Sequence, residues 1–505
     1  MRKLIVGIFV LTFVLFAQEE NEITFEQMLN DTTLDTTSDE LIAQSEDDST
    51  KEKSGGFFKR LFSKKKKDDT ETDVNEDEVV EVPESSEVVE TVTKTEEAKT
   101  GLSFGALPAV AYDTDTGFRY GALANIYDYG DGSTYPEYLW SLYVEWSRTT
   151  KGSGNNVVFF DSKHLLPKGI RVTADLSYLT EQTLDFYGFN GYESDYNSDY
   201  IVDDNSDYIT RVYYKYQRKL FRFTSDFQGK LFSDKLLWTG GVGHFDNNIS
   251  SVDIDQLNEG QSGSDVLPST VPTLFEEYIG VDNMIKIDQK NGGFTNLAKI
   301  GVIYDTRDNQ ANPMSGMWSE LLFIVAPDFL GNDYPYSQMI LSHRQYFTII
   351  PRNLSFAYRL TYQGKLTGEM PFYMLPYMMS SYKTVDGLGG KKTIRGILRN
   401  RIMSDGVAYG NFEVRWKFFR TVLFGQNIYL GVNPFVDMGI TVSRYDDFNT
   451  PFPPIPEEKD ALHIGYGAGF KIAMNENFII SVDYGRAVNE QDGNSGLYIG
   501  LDYLF

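Results

Sequence analysis

The chain has 505 residues, no cysteine and a formal net charge of −26, with 46 Lys and Arg against 72 Asp and Glu. The lack of cysteine excludes disulfides and thiolate metal sites. The excess of acid argues against a nucleic-acid binder, because neutralising phosphates requires a dominant basic surface. Aromatic residues make up 14% of the chain, which suits a sheet-rich protein that meets interfaces.

The first seventeen residues have the layout of a secretory signal peptide. Arg2 and Lys3 precede an apolar run over residues 4–16, and an acidic stretch follows Ala17. The run is too short to span a membrane as a helix. A permanent N-terminal anchor is the alternative, because Leu15 fits the cleavage motif poorly. No later segment has 18 consecutive apolar residues, so a membrane form of this chain must cross with strands.

Residues 18–100 have the composition of a disordered acidic segment. Residues 18–50 contain no Lys or Arg and few residues that could build a core. Within the segment, residues 55–69 mix four apolar side chains with a run of basic ones. This patch fits docking on anionic lipid or on a partner, and a solvated charge run is the alternative.

From Leu102 to the last residue, the pattern changes to alternating strands separated by turns. In the terminal stretch "SGLYIGLDYLF" one face carries Leu497, Ile499, Leu501, Tyr503 and Phe505. Strands have this period of two. "YLWSLYVEWSR" and "FIISVDYGR" alternate in the same way, so one face suits lipid and the other suits water.

The alternation predicts an all-β fold, a transmembrane antiparallel β-barrel over residues 101–505. A soluble sandwich also alternates, but the signal peptide, the aromatic strand ends and runs of ten or more residues favour a membrane barrel. We count about sixteen strands, with residues 208–232 as one long strand. The long outer loops are expected at 181–207, 248–294, 364–405 and 443–462.

The loop at 364–405 contains the basic stretch "KKTIRGILRNR", residues 391–401. Arg395 offers a guanidinium fork, which needs a carboxylate. Strand parity places Glu413 and Asp437 in the lumen, and Gly465, with two further glycines, leaves a strip of wall without side chains. We therefore predict that the loop folds into the barrel and is pinned by Arg395 to Asp437, with Glu413 nearby. A surface loop that binds anionic lipopolysaccharide is the alternative.

At these residues the chain resembles the BamA/TamA/two-partner-secretion (bacterial surface antigen) superfamily of outer-membrane barrels. Three motifs carry the resemblance, the loop motif (V/I)-R-G-(F/Y), then G-x-x-E-x-R, then F-x-D-x-G. Their residues here are Ile394, Arg395, Gly396 and Ile397; Gly410, Glu413 and Arg415; and Phe435, Asp437 and Gly439. Ile397 departs from the usual aromatic residue.

The resemblance implies a sixteen-stranded barrel in the outer membrane of a Gram-negative bacterium that assists assembly, insertion or translocation of other proteins. It implies contact with outer-membrane lipid, with client outer-membrane or secreted proteins, and with periplasmic or membrane accessory proteins. Most members carry POTRA modules before the barrel, and we expect none here. The end of the chain, with Leu501, Tyr503 and Phe505, is similar to the terminal aromatic signal that assembly machinery reads.

Catalysis finds little support in the sequence. The four histidines are scattered, and no zinc-protease, nucleophile-elbow or phosphate-loop motif is present. We therefore expect no enzyme activity, no cofactor and no metal site. The alternative function is a passive pore, or a structural subunit of an outer-membrane complex without assembly activity.

Overall fold

The computed structural model describes residues 98–505, except 114–116, 281–283, 424 and 446–459. The expected signal peptide, the basic patch at 55–69 and almost all of the expected disordered segment lie outside these residues. Within the described residues the chain forms one antiparallel sheet of sixteen strands and a separate two-stranded hairpin. The predicted all-β class and strand number are thus confirmed.

The sheet is built from strands of seven to eighteen residues, joined in chain order. The strands are β1 Leu102–Asp113, β2 Gly117–Asp128, β3 Trp140–Thr149, β4 Gly154–Ser162, β5 Arg171–Asp185, β6 Lys215–Lys230, β7 Leu236–Ser250, β8 Gly292–Asp305, β9 Gly316–Ala326, β10 Tyr336–Ile350, β11 Leu354–Gly368, the hairpin strands β12 Tyr377–Met379 and β13 Thr384–Asp386, then β14 Gly406–Leu423, β15 Gln426–Ser443, β16 His463–Met474, β17 Phe478–Ala487 and β18 Ser495–Leu501.

Helices in the described residues are short and belong to the connections. The α-helices are α1 Ile254–Asn258 and α2 Leu274–Gly280, and the 3₁₀ turns are Pro167–Gly169, Gly191–Glu193, Ser198–Ile201, Gly263–Asp265, Asp328–Leu330, Phe372–Met374 and Glu490–Asp492. In the described ranges, every helix is too short to cross a membrane.

The two ends of the sheet meet through side chains. Leu107 of β1 and Ile499 of β18 belong to one buried apolar cluster with Phe478 of β17. The Tyr127 hydroxyl of β2 donates a hydrogen bond of 3.2 Å to the carbonyl of Asn477, which precedes β17. Among the described residues, no backbone ladder joins β1 to β18, so side-chain contacts, mostly apolar, join the two ends at this seam.

Alternation along the strands follows the predicted faces. On β14, Val414 and Trp416 are exposed on the outer surface, whereas Glu413, Arg415 and Lys417 are buried inside. The same division recurs on β3, where Val144 and Trp146 face outward. The sheet therefore presents an apolar belt outside and a polar, charged wall inside, as expected for a barrel in lipid.

The long connections match the predicted outer loops, with shifted bounds. They lie between the strands at 186–214, 251–291, 369–405 and 444–462, of which residues 281–283 and 446–459 are outside the described residues. The predicted single strand at 208–232 is confirmed as β6, but it begins only at Lys215. Tyr213 and Tyr214 pack instead in an aromatic cluster with Tyr187 and Tyr196, which withdraws them from the sheet.

Side chains from several loops pack together within the lumen. Its largest apolar cluster combines Phe186 from one outer loop, Phe275 of α2, and Phe372 and Tyr377 from the 369–405 loop, all buried. Phe186 packs edge-on against Phe275 at a centroid distance of 6.0 Å. The 369–405 loop, including the β12–β13 hairpin, hence packs with other loops inside the barrel.

The predicted continuation of the last strand to Phe505 is wrong. β18 ends at Leu501, because Asp502 takes a left-handed conformation with φ of +71°. The chain turns there, and Tyr503 is buried with its ring 4.3 Å from the Arg415 guanidinium carbon. Tyr503 and Phe505 therefore lie against lumen side chains instead of continuing the outward face of β18.

Substitution on the outer surface tests the assigned faces. Val436 and Val442 lie on the same face of β15, 40% and 55% exposed, with Val442 close to the outer end. In lipid, Val436→Arg should lower the free energy of unfolding by about 2–4 kcal/mol, because a charge near the bilayer centre is costly. Val442→Arg should cost about 0–1 kcal/mol. Urea titration in phospholipid vesicles measures both, and equal costs would contradict the assignment.

Candidate functional site

The basic stretch of the 369–405 loop forms a compact turn. Thr393 stabilises it, since its hydroxyl accepts a bond of 2.9 Å from the Gly389 amide and donates one of 2.7 Å to the Gly387 carbonyl. Gly396 has a φ of +91°, which favours glycine. This local geometry presents the Arg395 side chain to the barrel wall.

Strands β14, β15, β16 and β17 form the wall that receives Arg395. In the register, Asn411 of β14 pairs with Asp437 of β15, and Asp437 pairs with Gly465 of β16. Two residues further along β14, Glu413 pairs with Phe435 of β15. Because inward positions on adjacent strands lie side by side, two carboxylates and an aromatic ring meet at one place.

Arg395 uses both its backbone and its guanidinium on this wall. Its Nε lies 2.8 Å from Asp437 Oδ2, its Nη2 lies 3.1 Å from Asp437 Oδ1, and its amide donates to Asp437 Oδ2 at 3.0 Å. Nη2 also lies 2.8 Å from Glu413 Oε1. The guanidinium carbon lies 3.5 Å from the centre of the Phe435 ring, a cation–π contact. We call these residues the Arg395 seat.

The seat is buried, since the side chains of Arg395, Glu413 and Asp437 are at most 1% exposed. Burial by itself lowers the pKa of the Arg395 guanidinium, but the charges of Asp437 and Glu413 outweigh it and raise that pKa above its ordinary value. The cation thus stays charged inside the barrel. Charge-assisted, bidentate bonds of this kind are the strong ones.

The predicted glycine strip lets the loop backbone approach the wall. A Cβ on Gly465 would lie 2.0 Å from the Arg395 carbonyl oxygen, and one on Gly485 of β17 would lie 2.6 Å from the Gly396 nitrogen. Gly467 and Gly469 also face inward, but a Cβ there would meet strand atoms instead. Only part of the strip therefore contacts the loop.

Ile394 and Ile397 sit in an apolar cluster beside the seat. They are buried with Leu388, Ile402 and Val407. A Cβ on Gly439 would lie 2.3 Å from Ile394 Cδ1, so this motif glycine makes room for the loop isoleucine. The position of the usual aromatic residue is hence filled by Ile397 within an apolar cluster.

Arg415 links the seat to the end of the chain. Its Nε lies 2.8 Å from Glu413 Oε2, and its Nη2 donates to the backbone oxygen of Phe505 at 3.0 Å. Glu413 therefore neutralises both Arg395 and Arg415. Gly410, the remaining motif residue, points the other way, since a Cβ there would meet Leu360 and Phe412 on the outer face.

The 369–405 loop also binds the opposite wall. Asp386 of β13 lies 2.7 Å from Arg218 of β6, and Arg399 lies 2.9 Å from Glu181 of β5. Burial raises the pKa of Asp386, but Arg218, Arg222 and Arg399 outweigh it and hold that pKa at about 2. The loop is thus ion-paired to β14–β15 on one side and to β5–β6 on the other.

Arg401 attaches the loop to the outer connections. Its Nη1 donates to the Gly191 carbonyl at 2.8 Å, its Nη2 to the Ser194 carbonyl at 2.9 Å, and its Nε to the Gln491 carbonyl at 2.7 Å. Three of the five basic residues in "KKTIRGILRNR", namely Arg395, Arg399 and Arg401, accordingly hold the loop in place through different contacts.

Several residues around the Arg395 seat were not predicted. The Asn411 amide donates to the Thr393 carbonyl at 2.6 Å, the Tyr498 hydroxyl accepts from the Gly396 amide at 2.9 Å, and Asp483 lies 3.6 Å from Arg395 Nη1. The alternation along each strand predicts that these side chains face inward. Alternation does not predict which inward residues on different strands lie at the same height in the barrel. In the described parts of the chain, no group of acidic and histidine side chains is arranged to hold a metal ion.

Comparison with known proteins identifies related sequences and folds. A family model for the Omp85 superfamily domain matches residues 140–503. Among solved structures, BamA from Haemophilus ducreyi lacking POTRA domains 1–3 is 14% identical with a TM-score of 0.42, covering 80% of this chain and 69% of that chain. CdiB from Escherichia coli is 11% identical with a TM-score of 0.45, covering 79% and 61%.

CdiB from Acinetobacter baumannii is 14% identical with a TM-score of 0.39, covering 80% of this chain and 60% of that chain. This chain therefore spans less than two thirds of either CdiB chain. A search of curated proteins found no match.

A double-mutant cycle tests the coupling of Arg395 to Asp437. Arg395→Ala should lower the free energy of unfolding by about 3–5 kcal/mol, because it leaves the Asp437 carboxylate buried without its ion-pair partner. Asp437→Ala should cost less, because Arg395 keeps its ion pair with Glu413. The double variant should cost much less than the sum of the two. Urea unfolding of the refolded barrel measures all three, and additive costs would contradict a direct interaction.

Alanine at Gly465 tests the close approach of the loop. Gly465→Ala should cost about 1–3 kcal/mol, because its methyl group would overlap the Arg395 carbonyl and displace the loop. Gly240→Ala on β7 is the matched control, since nothing lies nearer than 3.6 Å to a Cβ there. Thermal unfolding compares the two variants, and similar melting temperatures would show that the loop does not rest on Gly465.

Proposed function

The chain belongs to the Omp85 superfamily, whose barrels lie in the outer membrane of Gram-negative bacteria, and we propose that it assists assembly, insertion or translocation of other proteins there. Its clients would be outer-membrane or secreted proteins, with periplasmic or membrane accessory proteins as partners. The observation that carries the proposal is the loop-filled lumen, in which residues 369–405 are bound to both walls.

Within this function, the ion pairs of the Arg395 seat hold the 369–405 loop against the barrel wall. We call this attachment the lock. Arg395 is shared between Asp437 and Glu413, and Glu413 also binds Arg415. Truncating Arg395 leaves the buried Asp437 carboxylate without its ion-pair partner. The proposed role of the lock is to keep the loop at the strands near the β1–β18 seam, where Gly396 also contacts Tyr498 of β18.

A passive pore is the second candidate, and the loop counts against it. Asp386, Arg399 and Arg395 place ionic contacts on facing walls, and Phe275, Phe372 and Tyr377 add a buried apolar cluster. A lumen filled in this way leaves little room for a wide aqueous channel. Low single-channel conductance of the wild type in planar bilayers would accord with the proposal.

Depletion of the protein tests the function directly. Quantitative proteomics of purified outer membranes and culture medium should reveal loss of a few membrane or secreted proteins after depletion. Wild type and Arg444→Ala should restore them, whereas Arg395→Ala should not. Arg444→Ala is the matched control, because it removes an arginine from an outer ion pair, at 2.8 Å from Glu193, that is partly exposed.

Two outcomes would contradict the proposal. An unchanged proteome after depletion would favour the pore or a structural subunit. Full rescue by Arg395→Ala, present in the membrane at wild-type levels, would show that the function does not require the Arg395 attachment. Heat-dependent mobility in gels reports whether each variant reaches the outer membrane as a folded barrel.

A further inference from the structure

One connection of the barrel crosses the β1–β18 seam. In the described ranges this seam lacks the backbone ladder that joins every other pair of neighbouring strands in the sheet. The connection between β2 and β3, residues 129–139, lies at the end of the barrel opposite the 369–405 loop, because successive connections of an antiparallel barrel alternate between its two ends. We call residues 129–139 the strap.

The strap is attached to its own side of the seam at both of its ends. The Tyr129 amide donates to the Gly101 carbonyl at 2.9 Å, which holds the start of the strap beside β1. Near the other end, the Tyr138 hydroxyl donates to Asp161 Oδ2 of β4 at 2.6 Å. Asp161 is itself bound by Arg171 of β5 at 2.7 Å. The strap therefore moves with the first strands of the barrel.

From these attachments the strap reaches the last strands of the barrel. Asn477, in the turn before β17, donates through Nδ2 to the Tyr129 hydroxyl at 2.9 Å and to the Pro136 carbonyl at 2.7 Å. Asn427 of β15 donates through Nδ2 to the Tyr135 hydroxyl at 3.3 Å. These three hydrogen bonds connect the two sides of the seam without any strand-to-strand ladder.

The turns that receive the strap are joined to each other. The Asn427 amide donates to Asn475 Oδ1 at 3.1 Å, and the Asn475 amide donates to the Asn427 carbonyl at 2.8 Å. Asn427, Asn475 and Asn477 are at most 6% exposed. A buried side-chain amide is costly without hydrogen-bond partners, so the strap completes a site that these asparagines have already formed.

Tyrosine rings pack beside these hydrogen bonds. The ring centre of Tyr129 lies 6.2 Å from that of Tyr127 and 5.5 Å from that of Tyr135. The ring centres of Tyr127 and Tyr138 are 5.5 Å apart. Phe478 of β17 belongs to the same buried cluster as Tyr127 and Tyr129. Movement of the strap would therefore also remove aromatic rings from the packing that joins the two ends of the sheet.

We infer that the strap keeps the barrel closed at the β1–β18 seam, which parts only after the strap detaches from Asn427 and Asn477. Elsewhere in the sheet, separating two strands requires breaking a row of backbone hydrogen bonds. At the seam, a few side-chain hydrogen bonds and apolar contacts take the place of that row. Local opening occurs where the fewest contacts must break. The inference concerns the closure of the barrel and does not rest on the proposed function.

Spin-label distances test the inference with the full chain in lipid nanodiscs. The chain has no cysteine, so two introduced cysteines are the only labelled positions. Phe104→Cys on β1 and Phe470→Cys on β16, both exposed on the outer surface, form the seam pair. Val242→Cys on β7 and Phe323→Cys on β9, also exposed, form a control pair on the opposite wall. Double electron–electron resonance measures the distance within each pair.

Two variants weaken the attachment of the strap. Asn477→Ala removes both hydrogen bonds of that side chain, and it should lengthen the mean distance of the seam pair by about 5 Å or more, the spacing of one strand. Tyr135→Phe removes one hydroxyl and keeps the ring, and it should broaden the same distance distribution by a smaller amount. The control pair should keep its wild-type distance in both variants. Asn353→Ala, in an exposed turn at the same end of the barrel, should leave both distances unchanged.

Unchanged seam distances in both strap variants would overturn the inference. Equal changes in the seam pair and the control pair would also overturn it, because they would show a general loosening of the barrel. Heat-dependent gel mobility identifies the variants that fold, and Tyr135→Phe decides the question if Asn477→Ala does not fold. Since the assay needs no client protein, its failure leaves the proteomic test of the proposed function unaffected.

Discussion

A guanidinium buried in the wall of a barrel imposes the constraint on which the rest of this structure depends. Arg395 is withdrawn from water, so its charge requires Asp437 and Glu413 at hydrogen-bonding distance. The loop backbone must then lie against β16 and β17, which is possible because Gly465 and Gly485 have no side chains there. The path of the loop, the composition of four strands and the filled lumen all follow from this placement.

The loop connects the facing walls like a brace, because charged residues at different points along it form ion pairs with each wall. Arg395 binds β14 and β15, whereas Asp386 and Arg399 bind β5 and β6. A brace anchored on both sides cannot leave the lumen by breaking one contact.

Glu413 connects the loop to the end of the chain. It binds Arg395 through one oxygen and Arg415 through the other, and Arg415 in turn contacts Tyr503 and Phe505. The turn at Asp502 brings these aromatic residues inside, so β18 stops at Leu501 and leaves the seam with β1 to side-chain contacts, mostly apolar. The loop, β14 and the terminal residues therefore belong to one electrostatic network next to that seam.

Much of this architecture is legible in the sequence. The alternation in "EVRW" or "FVDMG" assigns Glu413, Arg415 and Asp437 to the interior, because side-chain direction along a strand is a local property with a period of two. The number of strands and the long loops follow from the same pattern. The turn at Asp502 was missed, because left-handed backbone at a non-glycine residue has no reliable sequence signal. The sequence alone thus determined the strands and their inward faces. Only the tertiary structure decided that Asn411, Asp483 and Tyr498 share the level of Arg395, because the register of distant strands and the path of a loop depend on contacts far apart in the chain.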